Sequence, residues 1–160
     1  MPHPLFEQFL NTGSMLEAER ELLRLRQDAL PILESLFTSD AKNQFGVPYR
    51  KLGLPLICAL EVVCRLGPVA KPLEAYLREE LRNGCRTAAM ALGSLGSLDD
   101  LSIMELAQAL QVHNLDLSHE AAAALIRCGQ ADHELVSAVT KNSERASAIL
   151  ARVRKRRLGD

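Results

Sequence analysis

Histidine and cysteine are the residue types in this chain best suited to hold a metal or attack a substrate, and their spacing does not assemble them. His3, His113, His119 and His133 never stand four apart, the spacing that puts two ligands on one helical face, and no carboxylate completes a set. Cys58, Cys64, Cys85 and Cys128 form no CxxC pair, and none has an adjacent histidine. Phosphate-cradling GxGxxG and GxxxxGK[ST] loops and the GxSxG nucleophile turn are absent. The expectation is therefore no catalytic set, no metal and no cofactor. All four cysteines fall within or at the start of helical patterns, which predicts buried free thiols and a reducing, cytoplasmic setting.

Non-covalent binding is the chemistry that remains. The stretch Thr38–Tyr49 (TSDAKNQFGVPY) is the longest polar break and holds turn formers together with Phe45 and Tyr49, two of only six aromatics. Either it is a connection whose aromatics fold back on the core, or it presents Phe45, Tyr49, Arg50 and Lys51 to a partner. A basic cluster, Arg152, Arg154, Lys155, Arg156 and Arg157, ends the chain. It suits a helix C-terminus and a solvated end, and it lacks the interleaved aromatics of a nucleic-acid surface. The formal net charge of −1 gives no overall field that would draw nucleic acid or an acidic membrane.

The elements that must position these residues are helical. In 160 residues, 48% are apolar but only 4% aromatic, so one domain with a core of Leu, Ala, Val and Ile is expected. No window approaches a membrane span, and MPHPLFEQFL lacks the form of a signal peptide. RTAAMALGSLG, Arg86–Gly96, sets the pattern. ALEVVCRLG ends at Gly67 and AAAALIRCG at Gly129, each with an alanine eight positions before its glycine, and the glycines stand 29 and 33 residues apart. That is a helical-repeat period.

In chain order, Leu5, Phe6, Phe9 and Leu10 predict a short helical turn over the first hydrophobic edge. Ser14 and Glu17 form a capping box that starts the next helix. Asp28 caps another, from about 29 to 37, with Pro31 in its first turn. A helix from Leu54 carries Pro55 early and stops at Gly67–Pro68. The next, about 69 to 81, turns Val69, Leu73, Leu77 and Leu81 inward and leaves Glu74, Arg78 and Glu79 outside. Ala88, Ala89, Leu92 and Leu95 form one close-packing face, with Gly93 and Gly96 as packing and capping glycines. Ser97 and Asp100 cap a helix of about 98 to 111 whose Leu101, Ile103, Leu106 and Leu110 face the core. Helices follow at 118–128 and 132–141. Asn142 or Ser143 then caps a last one, about 143–156, with Ala146, Ile149, Leu150 and Val153 apolar. The chain thus divides into helix pairs at about 14–37, 54–82, 86–111 and 118–141 plus a terminal helix, all in one domain, 1–160.

AAMALGSLGSLDDLSIMELAQAL resembles a HEAT-type repeat: an alanine-rich first helix, a glycine turn, and a second helix led by acidic residues. ALEVVCRLGPVAKPLEAYLREEL and AAAALIRCGQADHELVSAV are similar to it. The resemblance, over about residues 47 to 141, implies an all-α, short right-handed α-solenoid of antiparallel helix pairs, an armadillo-like superhelix. It implies binding of a macromolecule on the second helices, where Glu74, Arg78, Asp100, Met104, Gln108, His133 and Ser137 are the contact positions. The expected function is a non-catalytic protein-binding module. Its concrete form is a bacterial immunity or inhibitor protein bound to one partner such as a toxin. A regulatory adaptor or assembly scaffold is the alternative. A nucleic-acid-binding protein of the HEAT-like DNA glycosylase fold type is another; it needs a basic face and aromatics, whereas this chain has no Trp and balanced charge. Phycobilin lyases share such helices, but no residue here points to a bilin.

Overall fold

A computed structural model describes residues 2–158; Met1, Gly159 and Asp160 of the expected domain lie outside the described residues. Regular structure among the described residues is helical, with no strand and one isolated bridge, Lys42 to Pro48. The α-helices are α1 (Pro4–Gln8), α2 (Met15–Leu25), α3 (Leu30–Phe37), α4 (Leu54–Leu66), α5 (Glu74–Arg82), α6 (Arg86–Ser94), α7 (Asp100–Ala109), α8 (Leu115–Arg127), α9 (Glu134–Lys141) and α10 (Glu144–Leu158). Short 3-10 helices cover Arg26–Ala29, Tyr49–Lys51 and Gly67–Leu73. None of the helices is long and apolar enough to cross a membrane.

The helices meet in two rows. In the first, α2 contacts α4, α4 contacts α6, α6 contacts α8 and α8 contacts α10; in the second, α5 contacts α7 and α7 contacts α9. Contacts of α5 with α6, α7 with α8 and α9 with α10 join the rows. Gly67, Gly96 and Gly129 take φ of 65°, 80° and 69°, the left-handed conformation that lets the chain leave each alanine-rich helix at the same place. Gly93 is different. A Cβ there would stand 2.9 Å from Ala124 Cα, so its bare backbone is what lets α6 and α8 come together.

Several local expectations are corrected. Ser14 does not cap α2 with its side chain; its Oγ donates to the Gln8 carbonyl at 3.0 Å. The helix expected from Val69 begins at Glu74, after a 3-10 stretch, and Val69 is half-buried. Pro72 accounts for this, since it has no N–H for an α-helical bond. Asp99, not Ser97, is the N-cap of α7, which starts two residues later than expected. Leu10 is 39% and Leu101 56% exposed, where both were expected inside. The α7 stripe is Ile103, Leu106 and Leu110, and two residues at about 100° each place Leu101 on the far side from Ile103. Helix α8 starts at Leu115, capped by Asn114 Oδ1, which accepts the Leu117 N–H at 3.2 Å. Ser143 caps α10, its Oγ accepting the Ala146 N–H at 3.1 Å.

Candidate interaction surface

The second row carries the chain's most elaborate polar chemistry, and it is turned inward. Glu74 is the first residue of α5 and sits one turn from buried Leu77, so the helical period carries it into the packed stripe, where it is 3% exposed. Its Oε2 accepts a hydrogen bond from Ser102 Oγ at 2.5 Å and from the Asp99 N–H, at the start of α7, at 2.8 Å. Arg78 NH1 donates to Ser102 Oγ at 3.0 Å, and Lys71 Nζ pairs with Glu74 Oε1 and Asp99 Oδ1. Burial alone would lower the Lys71 ammonium, but the Glu74 carboxylate and then Asp99 override it and hold the group above the usual lysine value. A buried carboxylate at a helix N-terminus, with two cations, ties α5 to α7.

Two other buried glutamates join neighbouring elements the same way. Glu80 accepts from Arg50 Nε at 2.7 Å, and Arg50 NH2 also lies 3.1 Å from Glu79. Glu19 of α2 pairs with Arg65 of α4 at 2.9 Å.

These contacts separate the expected contact positions into groups. Glu74 is internal, and Arg78, with a side chain 14% exposed, is committed to it and to Ser102. Arg50 is committed to α5. Tyr49 is fully buried: its O–H donates to Glu7 Oε1 at 2.7 Å, accepts the His3 N–H at 3.1 Å, and its ring lies 5.4 Å from that of Phe6. Within the 38–49 loop, Tyr49 folds back on the core while Phe45 is 79% exposed.

Of the remaining five, Asp100 and His133 meet across α7 and α9, whereas Gln108 lines a recess with Leu81 and Leu117, Ser137 lines another with Leu150 and Arg154, and Met104 lies one turn beyond Asp100 on α7. Asp100 and Gln108 are exposed, and Met104, His133 and Ser137 half-buried. His133 caps α9 through Nδ1, which accepts the Leu135 N–H at 3.1 Å, while its Nε2 lies 3.6 Å from Asp100 Oδ1. Leu101 belongs to this surface and was missed. Its distance of two from Ile103 is the available signal, since two 100° steps turn Leu101 away from the buried stripe, next to Asp100 and within one turn of Met104.

Elsewhere, an open groove of about 470 Å³ between α4 and α6 is lined by Glu61, Cys64, Arg65, Arg86, Thr87 and Met90. Desolvation, then the Glu61 charge, pushes the Cys64 thiol up to about 11, so at neutral pH it is protonated. Cys58 is likewise pushed to about 11 by burial and Glu61, and Cys128 is raised by burial. No group of three or more His, Cys, Asp or Glu among the described residues is placed to hold a metal ion. Compared with protein-family models, with curated proteins and with solved structures, the chain matches none of them.

Proposed function

We propose that the chain is a non-catalytic protein-binding module built as a short right-handed α-solenoid of antiparallel, HEAT-like helix pairs. Its working surface is the outer face of α7 and the start of α9. The observation that carries this reading is Leu101, a large apolar side chain 56% exposed between Asp100 and half-buried Met104, with His133 Nε2 3.6 Å from the Asp100 carboxylate. An apolar centre with a polar rim is the composition of a protein interface. The row-by-row helix contacts and the repeated left-handed glycines support the solenoid, and the inward Glu74 network supports a rigid second row. The protonated thiols and the commitment of Glu74, Glu80 and Glu19 to structural ion pairs favour binding over catalysis. An inhibitor or immunity protein is the form we favour, because one compact face that sets the Asp100 carboxylate beside an apolar side chain selects a single partner by complementary charge and shape. An adaptor would use the same face for several.

The test is affinity capture from the source cells with the tagged wild type and Leu101→Glu. One protein held in stoichiometric amount by the wild type, and bound roughly 30-fold or more weakly by Leu101→Glu, is the expected result, as for a central interface anchor. Equal retention by both proteins removes this face from the proposal. Nucleic acid alone, released steeply by salt, replaces the protein-binding reading and moves attention to the basic end of α10.

A further inference from the structure

Ala18 stands eight residues before Arg26, as Ala59, Ala88 and Ala121 stand eight before Gly67, Gly96 and Gly129, and all four alanines are fully buried. Leu22, Val63, Leu92 and Leu125, four residues before the same positions, are fully buried as well. Between the first two copies the match runs on downstream. A 3-10 helix opens at Arg26 and at Gly67, Ala29 and Ala70 are buried three residues on, and Pro31 and Pro72 follow at five. The backbone agrees: Arg26 ends α2 at φ 50° and ψ −117°, and Gly67 ends α4 at φ 65° and ψ −136°. The α2–α3 pair is therefore a fourth copy of the alanine–glycine motif, with an arginine where the other three have glycine.

That exchange strains the backbone. At positive φ with ψ near −120° a Cβ crowds the chain, and the region lies outside even the left-handed well that other residues visit. Glycine carries no such penalty. The exposed Arg26 side chain also stabilises nothing in the fold. Arg24, two residues earlier, is taken by Glu21 at 2.7 Å, but Arg26 makes no ion pair or side-chain hydrogen bond among the described residues. Strain kept for a side chain without an internal partner marks a position used from outside.

The turns of the four copies lie side by side. The 26–29 stretch contacts the 67–73 stretch, Lys71 Nζ donates to the Ser97 carbonyl at 3.1 Å, and Asp100 meets His133 across the next gap. Arg26 thus shares an edge of the molecule with Leu101, two turns away, or about 20 Å at the usual spacing of packed helices. One interface of standard size spans that distance. Lys71, in the turn between, is already held by Glu74 and Asp99. A guanidinium fork fits a carboxylate or a phosphate. Exposed Asp28, Asp99 and Asp100 along the same edge oppose a polyanion, so the anion that fits is a single carboxylate on a protein surface.

We propose that Arg26 binds a carboxylate of the protein partner, and that the chain holds an arginine in a glycine conformation to place that guanidinium. This deepens the protein-binding reading and rests on it.

The test compares Arg26→Gly, Arg26→Ala and Arg26→Lys in two measurements. In urea unfolding, Arg26→Gly is expected to raise the folding constant about fivefold, while the alanine and lysine variants, which keep a Cβ, stay near the wild type. In titrations with the purified protein that the wild type retains, Arg26→Gly and Arg26→Ala are expected to bind about tenfold more weakly, with Arg26→Lys between. That difference should shrink from about 50 to about 500 mM NaCl, as an ion pair requires. Higher stability together with weaker binding in Arg26→Gly is an outcome that a merely structural arginine does not give. An Arg26→Gly no more stable than the wild type overturns the strained glycine position. Unchanged binding by Arg26→Ala overturns the carboxylate contact; if Leu101→Glu still loses binding, the protein-binding reading stands without it. A wild type that retains no protein, or only nucleic acid, overturns both.

Discussion

Between α6 and α8 the chain packs with almost no side chain at all, while at its N-terminal end it packs with its largest ones. Ala88, Ala89 and Ala91 on α6 and Ala121, Ala122 and Ala124 on α8 are buried, and Gly93 lies so close to Ala124 that a single Cβ would meet its backbone. At the other end Phe6, Phe9 and Tyr49 are fully buried, with ring centres of Phe6 5.4 Å from Tyr49 and 6.2 Å from Phe9. Five of the six aromatics precede residue 50, and none follows Tyr76. The small side chains let two neighbouring helices of one row approach closely. The aromatic end has the five-residue α1 and a loop to join to α2 and α4, and rings fill a space that short elements bound loosely. The first region therefore has no room to gain atoms, and the second none to lose them.

The largest effect is expected where atoms are lost. Phe9→Ala deletes a fully buried ring from the aromatic end and should cost about 3–5 kcal/mol, read as the shift of the urea midpoint. The same readout on Phe45→Ala, whose ring is in solvent, should move by less than about 0.5 kcal/mol. If Phe9→Ala costs under 1 kcal/mol, short elements collapse onto the gap and the aromatic end is not tightly filled.

Adding an atom to the other region comes next. Gly93→Ala should destabilise by about 1–3 kcal/mol, since the new methyl meets Ala124 Cα at 2.9 Å and the opposing backbone has to move. At an unhindered helix position the same change would stabilise by about 1 kcal/mol, so the sign alone decides whether the seam is tight. Pairing it with Ala124→Gly removes the opposing Cβ, 3.0 Å away, and should recover part of the loss; complete additivity of the two changes would show that the seam is not where the strain lies.

The two regions also differ in how plainly the sequence announces them. The alanine–glycine seam is legible because its period is local: three alanines each stand eight residues before a glycine, and the glycines take the conformation the pattern requires. Helix existence and the buried stripes follow for the same reason. The fate of individual charged and aromatic side chains does not follow, because it depends on partners far along the chain. Glu74 looks like a surface residue until Ser102 and Asp99, 28 and 25 positions away, supply its hydrogen bonds. Tyr49 and Phe45 share one loop, and the contacts of Tyr49 with Glu7, Phe6 and His3, far back along the chain, separate them. Leu101 was legible in principle, since its spacing from Ile103 fits no helical stripe.

Tyr49→Phe probes the aromatic end with the smallest change and yields a pH dependence that a cavity cannot produce. Near neutral pH the loss of the bonds to Glu7 and the His3 N–H should cost about 1 kcal/mol. Burial, followed by the hydrogen bond to the Glu7 carboxylate, raises the Tyr49 hydroxyl from 10.0 to about 12. Between those values the unfolded chain has released this proton while the folded chain still holds it. Folded Tyr49 binds more protons there, so wild-type stability falls as pH rises from 10 toward 12. Phenylalanine has no proton to lose and escapes that fall. Cys58 and Cys64, raised to about 11, titrate in the same range, but they do so in both proteins and cancel in the difference. The gap between wild type and Tyr49→Phe, measured by urea midpoints at neutral pH and again near pH 11, should therefore narrow or reverse. A gap constant with pH would mean that Tyr49 ionises as easily folded as unfolded, and so that the hydroxyl is not sealed between α1 and the loop.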